Sequence, residues 1–120
     1  MKQQEHQEQS ALMEYAGLMA NKDARWGLLF AIPNGGFRHV ATAHRLKKEG
    51  VKSGVPDLFL ACPMGRFHGF FCEMKSSSGS PTKNQIEWMQ KLEQQGYYIR
   101  ICYGWLEARQ EIETYLGLKS

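Results

Sequence analysis

The chain has 120 residues, 42% hydrophobic and 22% charged, with a net charge of +3. That length matches the commonest domain size, so the expectation is one domain over residues 1–120, and the composition excludes disordered and fibrous classes. No apolar run approaches the roughly 20 residues of a membrane span, and the polar start, Met1 to Gln9, carries no hydrophobic signal region, which points to the cytosol and to no membrane partner.

Gln3 to Ala20 places Leu12, Tyr15, Ala16 and Met19 at helical spacing, which predicts an amphipathic first helix ending near Asn21, with Glu5 and Glu8 on the same stripe. Trp26 to Ile32 (WGLLFAI) reads as a buried strand closed by the turn Pro33-Asn34-Gly35-Gly36. A second helix is expected from about Arg38 to Glu49, stopping at Gly50. Asp57 to Cys62 (DLFLAC) is a second strand and Phe67 to Lys75 (FHGFFCEMK) a third. The turn Pro63 to Arg66 is too short for a crossover, so these two run antiparallel.

After the Ser76 to Ser80 loop, the third helix is punctuated by Ser80 as N-cap, Pro81 at its first position, and Gly96 just past its end. Ile86, Trp88, Met89 and Leu92 form its apolar face, and Gln85 shares that stripe, which turns it inward, within reach of a water or the Lys75 region. Tyr97 to Tyr103 is a fourth strand, able to lie parallel to the third through a right-handed crossover. Glu107 to Leu116 closes the chain as a helix. The order αβαββαβα is an α/β class fold, a small mixed sheet flanked by helices.

Positive charge is concentrated rather than large. Between residues 38 and 52 stand Arg38, Arg45, Lys47, Lys48 and Lys52 against Glu49 alone, with His39 and His44 among them, a candidate phosphate-facing surface. His39 and His44 are five apart, poor spacing for helical metal ligands, and read as surface or phosphate contacts. Cys62, Cys72 and Cys102 each sit inside an apolar run and read as buried free thiols.

Chemistry is concentrated in two strands. Glu73 and Lys75 are two apart and share one face of an otherwise apolar strand, where an ion is costly unless paired or bound to a metal. Asp57 opens the neighbouring strand, sixteen residues earlier, so a hairpin brings the two carboxylates side by side. A divalent cation relieves their repulsion, hard oxygen ligands suit Mg²⁺, and the backbone carbonyl of Met74 can add another oxygen. Phosphodiester hydrolysis uses such a metal together with a cation near the developing charge, the task that suits Lys75.

These residues resemble a known family. Pro56-Asp57 followed by Glu73-Met74-Lys75 is similar to the PD-(D/E)XK nuclease signature. Glu5-His6-Gln7-Glu8-Gln9, Pro33-Asn34-Gly35-Gly36, Gly54-Val55-Pro56-Asp57-Leu58, Gln85-x-x-Trp88 and Gly96-Tyr97 extend the likeness, in order, to the VRR-NUC (virus-type replication-repair nuclease) branch. The resemblance implies a restriction-endonuclease-like core, dependence on Mg²⁺ or Mn²⁺, and a homodimer that cuts branched DNA such as Holliday junctions. It also implies a first-helix glutamate in the metal shell: Glu5 matches the position best, with Glu8 as the fallback. The expected catalytic set is Asp57, Glu73, Lys75 and Gln85, and the expected metal set Glu5, Asp57, Glu73 and the Met74 carbonyl. Asn34, Gly35, Arg38, His39, His44, Arg45, Lys48 and Lys52 are the expected DNA contacts. A non-cleaving junction-binding module, and an RNA endonuclease or DNA exonuclease on the same scaffold, are the alternatives.

Overall fold

A computed structural model describes residues 2–33 and 40–118. Helices α1 (Lys2–Met19), α2 (Val40–Lys48), α3 (Lys83–Gln94) and α4 (Trp105–Tyr115) surround strands β1 (Leu29–Ala31), β2 (Leu58–Leu60), β3 (Phe70–Lys75) and β4 (Tyr98–Tyr103). The four strands form one mixed sheet in the order β1-β2-β3-β4. As the sequence predicts, β2 and β3 pair antiparallel and β3 and β4 parallel.

Alternation along the strands decides which face becomes the core. Phe70, Cys72 and Met74 of β3 join Leu58 and Leu60 of β2 and Cys102 of β4 on one face, where Leu12 and Ala16 of α1 and Ala108 and Ile112 of α4 cover them. All three cysteines are free and buried. Phe30, Phe59 and Phe71 line up in register on the other face, with rings 5.7 and 4.4 Å apart. That row is only partly covered: Phe30 is 48% exposed.

Several boundaries differ from the sequence reading. The first half of WGLLFAI is a 3-10 helix, Ala24–Leu28, and only Leu29–Ala31 is strand. Its cause is local: the Asp23 carboxylate accepts the Arg25 N–H and pairs with the Arg25 guanidinium at 2.7 Å, bending the chain where hydrophobicity alone suggests extension. Helix α3 is capped by Thr82, not Ser80 with Pro81 at the first position. Thr82 Oγ1 accepts the Gln85 N–H while Gln85 Oε1 accepts the Thr82 N–H, a reciprocal box at a Thr-x-x-Gln spacing. Helix α4 begins at Trp105, two residues before Glu107, because a side chain from α1 caps it, as described below.

Candidate active site

The β2–β3 register, carried one step past its last pair, Leu58 with Cys72, sets Asp57 across from Glu73 on the face opposite the core. Asp57 is fixed there, its Oδ2 accepting the Met74 N–H at 2.8 Å. A strand residue directs its N–H and C=O to the same side, so the Met74 carbonyl turns toward the edge where Asp57 stands.

Glu73 and Lys75 occupy that face in nearly complete burial, 1% and 7% exposed. Lys75 Nζ lies 3.4 Å from Glu73 Oε2. The other carboxyl oxygen, Glu73 Oε1, is buried without a hydrogen-bond partner among the described residues. Folded proteins rarely leave such an atom unmatched, since its desolvation is uncompensated.

Helix α1 adds a third acid. Glu5 Oε2 accepts the Ser76 N–H at 3.5 Å, at the end of β3, and its negative charge acts on both Asp57 and Glu73. Glu8, one turn further along, has a different task. Its Oε1 accepts the Trp105 N–H at 2.7 Å, supplying the cap that Gly104 cannot provide for α4. Glu5 thus approaches the acids, while Glu8 ties α1 to α4 and lines a hollow beside Lys75. Nothing local in the sequence announces the second role, because its partners are 97 residues apart.

Burial lifts the Glu73 carboxyl to about 8, with the charges of Asp57 and Glu5 adding to the effect and Lys75 only partly opposing it. Asp57 is also raised above the ordinary carboxylate range, chiefly by burial, although its bond from the Met74 N–H works the other way. Among the described residues no three His, Cys, Asp or Glu side chains are gathered into a finished metal site. Glu5, Asp57 and Glu73 feel one another's charge without converging on a point, as mutually repelling carboxylates do. An orphaned carboxyl oxygen, hard oxygen donors and excess negative charge are the features a divalent cation fits.

The remaining expected residues are scattered. Gln85 does not turn toward Lys75; its side-chain oxygen is committed to the capping box at the start of α3. Asn34, Gly35, Gly36, Arg38 and His39 lie outside the described residues. His44, Arg45 and Lys48 are exposed along one face of α2, bordering an open hollow with Val40 and Ala41. Lys52, exposed in the following loop, instead borders a separate cavity with Lys47. A hollow of about 300 Å³ beside Lys75, bounded by Ser76, Ser77, Tyr103 and Trp105, was not foreseen from the sequence.

The VRR-NUC domain family matches the chain over residues 5–105. A solved structure described as a VRR_NUC domain protein superposes with a TM-score of 0.80 at 24% identity, covering 98% of this chain and 91% of that one, which shows the shared fold. No curated protein matches the chain.

Proposed function

The chain belongs to the VRR-NUC domain family, within the nuclease superfamily, and from that premise we propose that it is a metal-dependent, structure-selective DNA endonuclease acting on branched substrates such as Holliday junctions. The observation that carries the reading is the unmatched Glu73 Oε1, buried opposite Asp57 with the Lys75 ammonium beside the other oxygen. A purely structural salt bridge does not need a second acid facing it or an unsatisfied oxygen.

In this reading Glu5, Asp57, Glu73 and the Met74 carbonyl hold Mg²⁺ or Mn²⁺. The bound cation would polarise a phosphoryl oxygen and acidify water. The chain's own residues do the rest. Lys75, held by Glu73, donates to the attacking water or to the negative charge that grows on the phosphoryl oxygens. Asp57 is locked by the Met74 N–H, so its free energy of reorganisation on binding is small. The hollow beside Lys75 offers room for backbone flanking the scissile phosphate. His44, Arg45, Lys48 and Lys52 supply positive potential for further phosphates, and Asn34, Gly35, Arg38 and His39 are proposed as additional DNA contacts.

A homodimer completes the reading, since symmetric cutting of a four-way junction uses two sites related by a two-fold axis. Exposed Phe30, beside the partly buried Phe59 and Phe71, supports it by offering apolar surface. The test is a panel of labelled duplex, flap, splayed-arm and four-way DNA with Mg²⁺, Mn²⁺ or EDTA, run beside Lys75→Ala and with sedimentation to give the oligomeric state. Cleavage of branched DNA that needs the metal and Lys75 is expected. Junction binding without any cleavage overturns it in favour of a binding module.

A further inference from the structure

A cavity of about 560 Å³ lies between α3 and the loop that follows α2, bordered by Lys47, Val51, Lys52, Ser53, Asn84 and Trp88. Its volume is within the roughly 300–1,000 Å³ of small-molecule sites. None of these residues takes part in the acidic cluster.

The cavity is built rather than incidental. Gly54 adopts φ +92°, and a Cβ there would stand 2.5 Å from Asn84 Nδ2 and 3.0 Å from Trp88 Cδ1, so the loop backbone is pressed directly onto α3. Asn84 Nδ2 clamps it by donating to the Ser53 carbonyl at 3.0 Å and to Ser53 Oγ at 3.3 Å. Asp57 follows Gly54 by three residues, so this docking holds Trp88 and the first catalytic acid in a fixed relation.

The chemistry of the wall is mixed in one particular way. Trp88 is half-buried and presents indole surface, while Lys47 and Lys52 are exposed beside it and the Lys91 ammonium lies 5.6 Å from its ring centroid. An aromatic platform bordered by ammonium groups, with no acid among the described residues that line it, is complementary to a nucleotide: the ring stacks a base and the cations meet its phosphates. A base inside duplex DNA has both faces stacked on its neighbours and cannot use such a platform, whereas an unpaired one can. The helical phase of α2 matters here. Lys47 faces this cavity with Ala43, while Arg45 and Lys48 border the other hollow.

We propose that the Trp88 cavity seats a single unpaired nucleotide, and that this seat makes the enzyme prefer branched DNA that carries an unpaired nucleotide, as flaps and splayed arms do, over continuous duplex. The proposal rests on the nuclease reading and adds to it the feature of the substrate that is recognised.

The test uses the full chain in EDTA, so that binding is read without cleavage. The probe is a duplex with one unpaired 2-aminopurine, and its fully paired counterpart is the control. The wild type quenches the unpaired probe and binds it roughly 5- to 150-fold more tightly than the control, the range of one base–aromatic stack. Trp88→Leu loses both effects, Trp88→Phe retains most of them, and Lys47→Ala with Lys52→Ala weakens binding while lowering the salt slope by about two. Should Trp88→Leu fail to fold, the Phe variant and the lysine pair decide the matter. Equal affinity for the two duplexes, or quenching that survives in Trp88→Leu, overturns the seat. Cleavage of branched DNA by a wild type that shows no quenching sinks the seat alone; quenching by a wild type that cuts nothing with any metal sinks the nuclease reading alone.

Discussion

The two faces of β3 obey different rules. On one, the side chains of Phe70, Cys72 and Met74 are each 1% exposed and belong to the apolar core. On the other, Glu73 and Lys75 are almost as deeply buried, yet are charged or chargeable and face Asp57. The same strand therefore stabilises the fold with one set of side chains and stores electrostatic cost with the other. The difference teaches that a candidate site can be recognised where burial persists and the apolar rule fails.

Four experiments break or sharpen this comparison. The largest effect is expected from Phe70→Ala, which opens a cavity in the core face and lowers stability by about 3–5 kcal/mol in denaturant titration, with little change in activity per folded molecule. Lys75→Ala should do the opposite. Its rate constant for cleavage of branched DNA falls by roughly 10²–10³, about 3–4 kcal/mol of barrier, while its circular dichroism spectrum is preserved. If these two variants lose stability and activity in equal measure, the division between faces fails.

The third concerns pH. With its carboxyl lifted to about 8, Glu73 keeps a proton in the folded chain over a range in which an unfolded glutamic acid, at about 4.3, has lost it. The folded state thus binds more protons between those values, and its stability declines as pH rises through them. Glu73→Gln is neutral throughout. In metal-free buffer the two proteins should differ least near about pH 5 and separate towards about pH 8, where the variant gains on the order of 3 kcal/mol relative to the wild type. Mn²⁺ must displace the same proton, so wild-type affinity should increase with pH up to about 8, a trend absent in Glu73→Gln.

The smallest effect separates the two glutamates of α1. Glu8→Ala removes the cap of α4 and should cost about 1 kcal/mol in thermal stability. Glu5→Ala should leave stability nearly unchanged and weaken Mn²⁺ binding in calorimetry. A reversed pattern would exchange their assignments.

Much of this was legible in the sequence because it depends on local periodicity. The strand alternation of FFCEMK, the short β2–β3 connection and the helical crossover between β3 and β4 suffice to put Asp57 opposite Glu73 and to give the antiparallel and parallel pairings. What was illegible depends on competition or distance. Asp23 bends the Trp26 segment into a 3-10 turn, and Thr82 outcompetes Ser80 as a cap because only Thr82 has Gln85 three residues on. That same box withdraws Gln85 from the site, a conflict a helical wheel cannot show. The bond from Trp105 to Glu8 and the packing of Gly54 on Trp88 join segments far apart in the chain, so no spacing rule reveals them.

The central claim, that Asp57 and Glu73 share one divalent cation beside Lys75, is tested most directly by anomalous diffraction from crystals soaked in Mn²⁺ at about pH 9, above the value of about 8 at which Glu73 is half protonated. A single strong anomalous peak contacting the Asp57 and Glu73 carboxylates, with Glu5 and the Met74 carbonyl close by, is the predicted result. Ordered density for all four groups with no manganese peak among them, at saturating Mn²⁺, would contradict it.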